Sequence, residues 1–390
     1  MKILMVLTYW FPPDSRVEKE AASLSDAGHK VHILCYSKPG QQAFEQTKDY
    51  TIHRFDCSDF FFNKLSALAL ILPHYFNIWR KEVTRLNDRY HFDAIHVHDL
   101  PLSKVGYYFK KNHGLRLVCD QHEYYSDWIK KTAHMNTFQG KLVGLMSDWE
   151  RYEKNYLDHA DLVITVEEPL RKNYIERYNL PEDKIITVPN TPTTKIFNTN
   201  NIDQKIIDEY RNQFIIFYAG GIDILRGIDT AIIALKKIKK TIPNVKLLLG
   251  GKIVKPFDPF KVARDHGVED VIEFTGWIDE TKLPSYIAAS DVCFFTPPAN
   301  RDEIHKTIAT KIYQYAIMGK PIIVSEAKMM KDFVEDNKLG YSIQSNSPEQ
   351  FTEAVLKIYN KEIEIDFKST NSVFWEVTVK PLLSAYRKLV

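Results

Sequence analysis

KILMVLTYWFPPDSRVEKEAASLSDAGHKVHILCY, residues 2–36, decides the fold of this chain. Lys2–Leu7 is a short apolar run, and Tyr9–Asp14 is a proline-containing loop. Ser15-Arg16-Val17-Glu18 is a Ser-x-x-Glu capping box, which predicts a helix starting at Ser15. Val17, Ala21 and Leu24 give that helix an apolar face, and Gly28 is placed to end it. Val31–Tyr36 is the next apolar run. Strand, helix, strand with short connections is a βαβ unit, which implies a parallel sheet covered on both faces.

The alternation continues outward. Ala94–Val97, Arg116–Cys119, Leu162–Val166 and Ile185–Val188 read as further strands separated by helical stretches. Around residues 190–212 the chain turns polar, with Asn190-Thr191-Pro192 and Asn198-Thr199-Asn200-Asn201, the best linker signal. A second series follows, with strands at Phe214–Ala219, Val245–Leu249, Ile272–Thr275, Val292–Thr296 and Pro321–Ser325. Helices fit Ile228–Lys240, Leu283–Ala289, Thr310–Met318 and Pro348–Tyr359. The expected architecture is α/β, two Rossmann-like domains facing each other across a cleft. Their expected bounds are 1–195, joined by the C-terminal helix 375–390, and 196–374. Ligands of such sheets sit beyond the carboxyl ends of the strands.

The chain has 390 residues, with 52 Lys+Arg against 50 Asp+Glu, 44% hydrophobic and 26% charged. At roughly 150 residues per domain that length suits two domains. The even charge excludes a nucleic-acid binder, whose footprint is a basic excess. Cys35, Cys57, Cys119 and Cys293 form no C-x-x-C pair and read as reduced thiols of a cytoplasmic protein. The opening apolar run is too short for a signal peptide, and no run approaches the ~20 apolar residues of a membrane span. Phe60–Trp79, with Phe60, Phe61, Phe62, the stretch Leu65 to Leu72, Tyr75, Phe76 and Trp79, precedes Arg80-Lys81. It reads either as a core helix pair broken at Pro73 or as an amphipathic face, residues 60–80, on the inner surface of a membrane.

Three places could carry chemistry. Tyr218-Ala219-Gly220-Gly221 ends a strand, and Arg226-Gly227 precedes the helix near Ile228. A glycine turn brings backbone N–H groups to phosphate oxygens, and Arg226 would add bidentate contacts, although such glycines also serve turns alone. Thr310 and Lys311 open a helix that stops at Met318-Gly319-Lys320-Pro321. A first-turn Lys opposes the helix dipole, so it is either a tolerated surface residue or the partner of a bound anion. His96-Val97-His98-Asp99 and Asp120-Gln121-His122-Glu123 run off two strand ends. Their histidines can be substrate contacts, structural residues or metal ligands, and no third ligand with zinc-like spacing accompanies them.

Together these residues resemble the retaining glycosyltransferase family four, which has the GT-B fold. The resemblance spans nearly the whole chain. Asp26-Ala27-Gly28-His29-Lys30-Val31 is similar to the family's G-H-x-V, and Val188-Pro189-Asn190 to its V-x-P-N. Tyr218-Ala219-Gly220 with Arg226-Gly227 resembles its Y-x-G and basic-Gly pair. Phe274-Thr275-Gly276-Trp277-Ile278, followed by Ala289-Ser290-Asp291-Val292, resembles its F-x-G-x-V region. Lys311–Gly319 with Lys320-Pro321 resembles a variant of its donor motif.

The resemblance implies a hexosyltransferase using a UDP- or GDP-sugar, with no obligatory cofactor or metal and no nucleic-acid partner. Gly220, Gly221, Arg226 and Lys311 would hold the diphosphate, Ile278 would meet the base through its backbone, and Thr310 would sit at the donor. His98 would touch the donor sugar and reacting centre. Arg16, His122, Glu123 and the Phe11–Arg16 loop would lie on the acceptor side, toward a saccharide or lipid-linked acceptor of surface-polysaccharide, lipopolysaccharide or glycolipid assembly. The family's account of retention needs no protein nucleophile. The Trp375-Glu376 helix resembles the family's C-terminal crossover.

Three departures qualify this. The family's Glu-x7-Glu donor signature is Lys306 and Gln314 here, with Glu303 as a local substitute for the first Glu. An amide hydrogen-bonds a ribose but supplies no charged acceptor. The Arg usual after the strand glycine is Gly221. A catalytically lapsed sugar-binding or partner protein and a GT-B-like sugar-nucleotide epimerase are the alternatives.

Overall fold

The amide groups of Arg16 and Val17 are satisfied by the Asp14 carboxylate, at 3.1 and 3.2 Å, so the first helix, Ser15–Asp26, is capped by Asp14. The cap therefore lies one residue before the expected Ser15. An extended Asp presents an ionised acceptor to the open N–H groups, and Glu18 reaches back to the Asp14 amide at 3.3 Å.

In this computed structural model the described residues are 1–56, 69–70, 74–130, 148–362 and 372–389. The chain divides into two compact units: Met1–Asn190 with Val379–Val390, and Thr191–Thr378.

In the first unit, β1 (Lys2–Trp10), β2 (Lys30–Tyr36), β3 (Phe44–Gln46), β4 (Tyr50–Phe55), β5 (Ala94–His98), β6 (Arg116–Gln121), β7 (Leu162–Thr165) and β8 (Ile185–Thr187) form one sheet. Its order is β3-β4-β2-β1-β5-β6-β7-β8, parallel except where β3 meets β4. In the second unit, β9 (Phe214–Ala219), β10 (Val245–Gly250), β11 (Ile272–Gly276), β12 (Val292–Phe295), β13 (Ile322–Ser325) and β14 (Gly340–Ile343) form a parallel sheet ordered β11-β10-β9-β12-β13-β14. Both are Rossmann-like. In each, strand order reverses direction at one point, β1/β5 in the first sheet and β9/β12 in the second. Crevices for ligands open at the carboxyl ends of such strand pairs.

Strands β3, β4 and β14 are additions to the expected set. β4 reads as polar because it carries His53 and Arg54, yet both are buried. His53 bonds His32 at 2.9 Å, and Arg54 donates to the Phe11 carbonyl and to Glu45. Helices Pro259–His266 and Lys328–Asp336 are also additional.

Residues 57–68 and 71–73, which carry most of the expected membrane-facing segment and Cys57, lie outside the described residues. Its end is described, and there the lipid-facing expectation fails. Trp79 is 0% exposed, Tyr75 and Phe76 are buried with it, and the indole donates to the Tyr36 hydroxyl at 3.0 Å. These rings belong to the first unit's core. Cys35, Cys119 and Cys293 are buried free thiols, raised above the usual thiol range by desolvation. Among the described residues no helix is long and apolar enough to cross a membrane.

Candidate active site

Each switch point gathers a group of charged side chains. In the first unit, β5 ends at His98, and alternation along the strand puts His96 on the same face, with the two rings stacked at 4.5 Å and 13°. The parallel register sets His98 beside Asp120 on β6. His98 Nδ1 lies 3.3 Å from Asp120 Oδ2, and His122 Nε2 bonds the same oxygen at 2.9 Å. His98 Nδ1 and His122 Nε2 are 3.4 Å apart, and His122 Nδ1 lies 3.4 Å from Asp99 Oδ1. Asp99 has φ +62°, a strained conformation for a non-glycine residue, and its amide bonds the Asp120 carbonyl.

Arg16 anchors this group from the first helix. Its Nε and Nη2 donate to the two oxygens of Asp120 at 3.0 and 2.9 Å, and Nη1 donates to the Val188 carbonyl at 2.8 Å. Nη2 also lies 2.9 Å from Glu20 Oε1. Arg16 is 3% exposed and committed within its own unit. Arg16, expected on the acceptor side, commits its guanidinium to Asp120, Glu20 and the Val188 carbonyl and holds Asp120 in place. His98 is 1% exposed, and its Nε2 has no hydrogen bond. His122 is the more accessible ring of the pair, and Glu123 beside it is exposed.

The electrostatics follow from these partners. Burial alone would raise the Asp120 carboxyl, but Arg16 and His122 outweigh it and hold the group well below the carboxylate range. Burial opposes charge on His122, yet Asp99 and Asp120 raise it to about 9. Desolvation lifts Glu20 to about 7 against the pull of Arg16, and it keeps His96 neutral. Although Glu123 as a residue is exposed, partial desolvation of its carboxyl, then Asp99, raises it to about 7.

Glu20, His96, His98 and Asp120 bring ligand-type atoms within 4.8 Å of one another. A metal does not fit this set as it stands, because the Arg16 guanidinium already supplies the cation between the two carboxylates. Sequence reasoning named His98 and His122 but missed Glu20 and Tyr386. The helix periodicity that puts Glu20 one turn after Arg16 was the available signal for Glu20. Tyr386, whose hydroxyl lies 2.9 Å from His96 Nδ1, gave no local signal.

In the second unit, β9 runs into Gly220 and Gly221. Gly220 has φ +144°, and a Cβ there would stand 2.8 Å from the Tyr218 hydroxyl and 3.0 Å from Lys311 Nζ. Gly227 has φ +73°, and its Cβ would fall 2.1 Å from the Thr296 carbonyl oxygen at the end of β12. Only glycine permits both approaches. Between them the short turn Ile224–Arg226, capped by Asp223, delivers an exposed Arg226 whose guanidinium lies 5.7 Å from the Phe295 ring centroid.

Lys311 enters from the first turn of the helix Thr310–Ile317 and rests over the same ring at 4.5 Å and over Tyr218 at 5.0 Å. Desolvation, with Arg226 second, lowers it to about 7. Two cationic side chains thus converge on one glycine turn, an arrangement suited to a diphosphate. Gln314 follows Lys311 by three residues on the same helix face. Ile278 packs against Gly250, where a Cβ would meet it at 2.3 Å. Glu303 lies in the turn Asp302–Lys306, 4.0 Å from Arg301.

Comparison with known proteins agrees with this architecture. A model described as Glycosyltransferase Family 4 matches residues 15–192, and one described as Glycosyl transferases group 1 matches residues 199–370. A glycosyltransferase of Methanocaldococcus jannaschii, itself uncharacterized, is 19% identical over 409 residues, covering 100% of this chain and 99% of that protein. A GDP-mannose-dependent alpha-(1-6)-phosphatidylinositol monomannoside mannosyltransferase of Mycobacterium tuberculosis is 26% identical over 137 residues, 34% of this chain and 35% of that one. The structure of Anabaena HepE in complex with UDP and glucose superposes with a TM-score of 0.71 at 15% identity, covering 100% of both chains. The chain belongs to the glycosyltransferases of GT-B fold. It is an enzyme of the transferase class.

Proposed function

We propose that this glycosyltransferase is retaining and moves a hexosyl group from a UDP- or GDP-sugar to a saccharide or lipid-linked acceptor in surface-polysaccharide, lipopolysaccharide or glycolipid assembly. The observation that carries the reading is the convergence of Arg226 and Lys311 on the Gly220 turn at the β9/β12 switch point. HepE in complex with UDP supports a uridine donor, and the mycobacterial mannosyltransferase supports a guanosine donor and a lipid acceptor.

In this reading Gly220 and Gly221 let backbone approach the diphosphate. Arg226 and Lys311 neutralise the charge that grows on it as the glycosidic bond breaks. The Ile278 backbone meets the base, Gln314 the ribose, and Glu303 and Thr310 the donor sugar. The acceptor hydroxyl bonds to the anomeric carbon on the face the phosphate leaves, and the departing phosphate oxygen takes the hydroxyl proton. No protein nucleophile and no metal is required. His98, whose Nε2 makes no hydrogen bond, serves the reacting centre, with His122 and Glu123 toward the acceptor. A cytoplasmic protein peripheral at a membrane suits a lipid-linked acceptor.

Calorimetric titration with UDP, GDP and their sugars tests the reading. Binding at micromolar to millimolar concentration is expected, and no binding of any of them at millimolar concentration overturns it. The Lys306 and Gln314 departures favour one second reading, a lapsed homologue. Cellular function unchanged by Arg226→Ala with Lys311→Ala would decide for it.

A further inference from the structure

Glu20 is fully buried, and neither of its oxygens has a hydrogen bond of good geometry. His96 is also fully buried. Its Nδ1 is held by the Tyr386 hydroxyl at 2.9 Å, while its Nε2 is left with no hydrogen bond, 3.8 Å from Glu20 Oε2. Buried polar atoms in this state are rare and mark places where protonation or function differs from ordinary packing. The groups facing Glu20 are Arg16 from its own helix, His96 and His98 from β5, Asp120 from β6, His122 after β6, and Tyr386 from the C-terminal helix.

We propose that Glu20 and Tyr386 are positioning residues for the His98–His122 pair, Glu20 acting through Arg16 and His96 and Tyr386 through His96. Two contiguous routes carry this. Glu20 meets Arg16, which fixes both oxygens of Asp120, and Asp120 orients His122 and His98. Tyr386 fixes His96, whose ring lies flat against His98.

The ionised carboxylate lies 2.9 Å from the same Arg16 Nη2 that serves Asp120 and faces His96 Nε2 at 3.8 Å, which favours the tautomer with the proton on Nε2. His96 Nδ1 then accepts from Tyr386. Protonation of Glu20 weakens its hold on Arg16 Nη2 and turns the carboxyl into a donor toward His96 Nε2. His96 takes the other tautomer, with Nδ1–H donating to the Tyr386 oxygen. One proton on Glu20 therefore changes the support of both histidines. Desolvation lifts the Glu20 carboxyl to about 7, so the change falls near neutral pH, with the ordered state on the alkaline side.

This rests on the glycosyl-transfer reading of the pair, but its test does not. The full chain is labelled with 15N-histidine and the His96, His98 and His122 ring signals are followed from pH 5 to 10. The wild type is compared with Glu20→Gln, Tyr386→Phe and the control Glu123→Gln. An inflection near pH 7 shared by His96 and His98 is expected in the wild type and in Glu123→Gln. It is expected to vanish in Glu20→Gln, and the His96 tautomer ratio is expected to change in Tyr386→Phe. With a nucleotide sugar that turns over, both variants should lose about ten- to a hundredfold in kcat with donor KM unchanged.

The proposal is overturned if the inflection persists in Glu20→Gln, if Tyr386→Phe leaves the His96 tautomers as they were, or if a stoichiometric transition metal copurifies and its removal alone shifts these rings. If Glu20→Gln does not fold, the Tyr386→Phe spectra decide. Absence of nucleotide-sugar binding would overturn the glycosyl-transfer reading alone.

Discussion

Arg16 and Asp120, 104 residues apart in sequence, meet in two parallel bonds inside the first unit, Nε to Oδ2 at 3.0 Å and Nη2 to Oδ1 at 2.9 Å. Both side chains are buried, so removing Arg16 leaves the Asp120 charge with the His122 ring and no guanidinium to offset it. Arg16→Met should cost about 3–5 kcal/mol, measured by urea unfolding at neutral pH. Arg16→Lys should recover only part, because an ammonium cannot reproduce the fork. The Asp120 carboxyl is depressed in the fold. Its stabilising share is therefore present above the ordinary Asp range, and it is lost as pH falls through the lower folded value. A Lys variant as stable as wild type would mean that charge alone, without the fork, suffices.

Lys311 is a cation held against two aromatic rings and lowered to about 7. Its folded value lies below its unfolded one, so between about 7 and 10 the unfolded chain binds more protons. Stability should rise with pH across that window. Lys311→Met removes the cost of desolvating the charge and should keep or raise the unfolding midpoint while lowering nucleotide affinity. A diphosphate bound beside Lys311 draws a proton onto it. Calorimetry at pH 8 in buffers of different ionisation enthalpy should report up to one proton taken up by wild type and none by Lys311→Met. Equal uptake by both would assign the proton to another group.

How much of this was readable before the structure depends on whether the signal was local. Residues 2–36 specified strand, helix and strand; the structure moves the cap from Ser15 to Asp14, because the carboxylate sits one residue earlier, and carries the first strand on through Trp10 into the expected loop. Gly220, Arg226 and Lys311 were legible because glycine turns and a misplaced first-turn Lys are local oddities. β4 was not: Tyr50–Phe55 looks polar until His32, Phe11 and Glu45 provide partners from outside the segment. Arg16 was expected in the first helical turn on the acceptor side, and its burial on Asp120, 104 residues away, appears only in the structure. Tyr386 is 290 residues from His96, a pairing no sequence window contains.

His122 is raised to about 9 by Asp99 and Asp120 acting against burial. A histidine raised in the fold contributes stability that is full below about 6.5 and is lost as pH climbs through 9. Asp99→Asn removes the charge beside His122 Nδ1 and should move the His122 ring titration, followed by NMR, toward 6.5. The alkaline loss of stability should then shrink. A His122 midpoint unmoved in Asp99→Asn would leave Asp120 as the sole source of the shift.

Gly227 and Gly276 share a left-handed backbone, at φ +73° and +70°, but not their surroundings. Alanine in that conformation costs about 1–2 kcal/mol at either position. At Gly227 the added carbon would also stand 2.1 Å from the Thr296 carbonyl oxygen, whereas nothing lies within 4 Å at Gly276. Backbone must move at Gly227, and it carries Arg226 with it. Gly227→Ala should therefore unfold earlier than Gly276→Ala and lose nucleotide affinity, while Gly276→Ala keeps its phosphate contacts. Titration of both variants with UDP and GDP separates conformational strain from steric displacement.

Trp79 sits in the helix His74–Tyr90 with its indole on Tyr36, while its neighbour Ile78 is 38% exposed. Trp79→Ala should cost about 3–5 kcal/mol, and Ile78→Ser should stay within about 0.5 kcal/mol of wild type, both by urea unfolding. A loss of liposome binding in a Trp79 variant would then report an opened core, not a lost lipid contact. The outer face of this helix carries Lys81, Arg85 and Arg89, all exposed. Arg85 is paired with Glu82 at 2.9 Å, so its charge is partly offset. Lys81→Glu with Arg89→Glu reverses the face without touching the core. If anionic vesicles bind through this outer face, sedimentation of that double variant should fall several-fold while its unfolding midpoint stays near wild type. Unchanged sedimentation would remove the helix from any membrane contact.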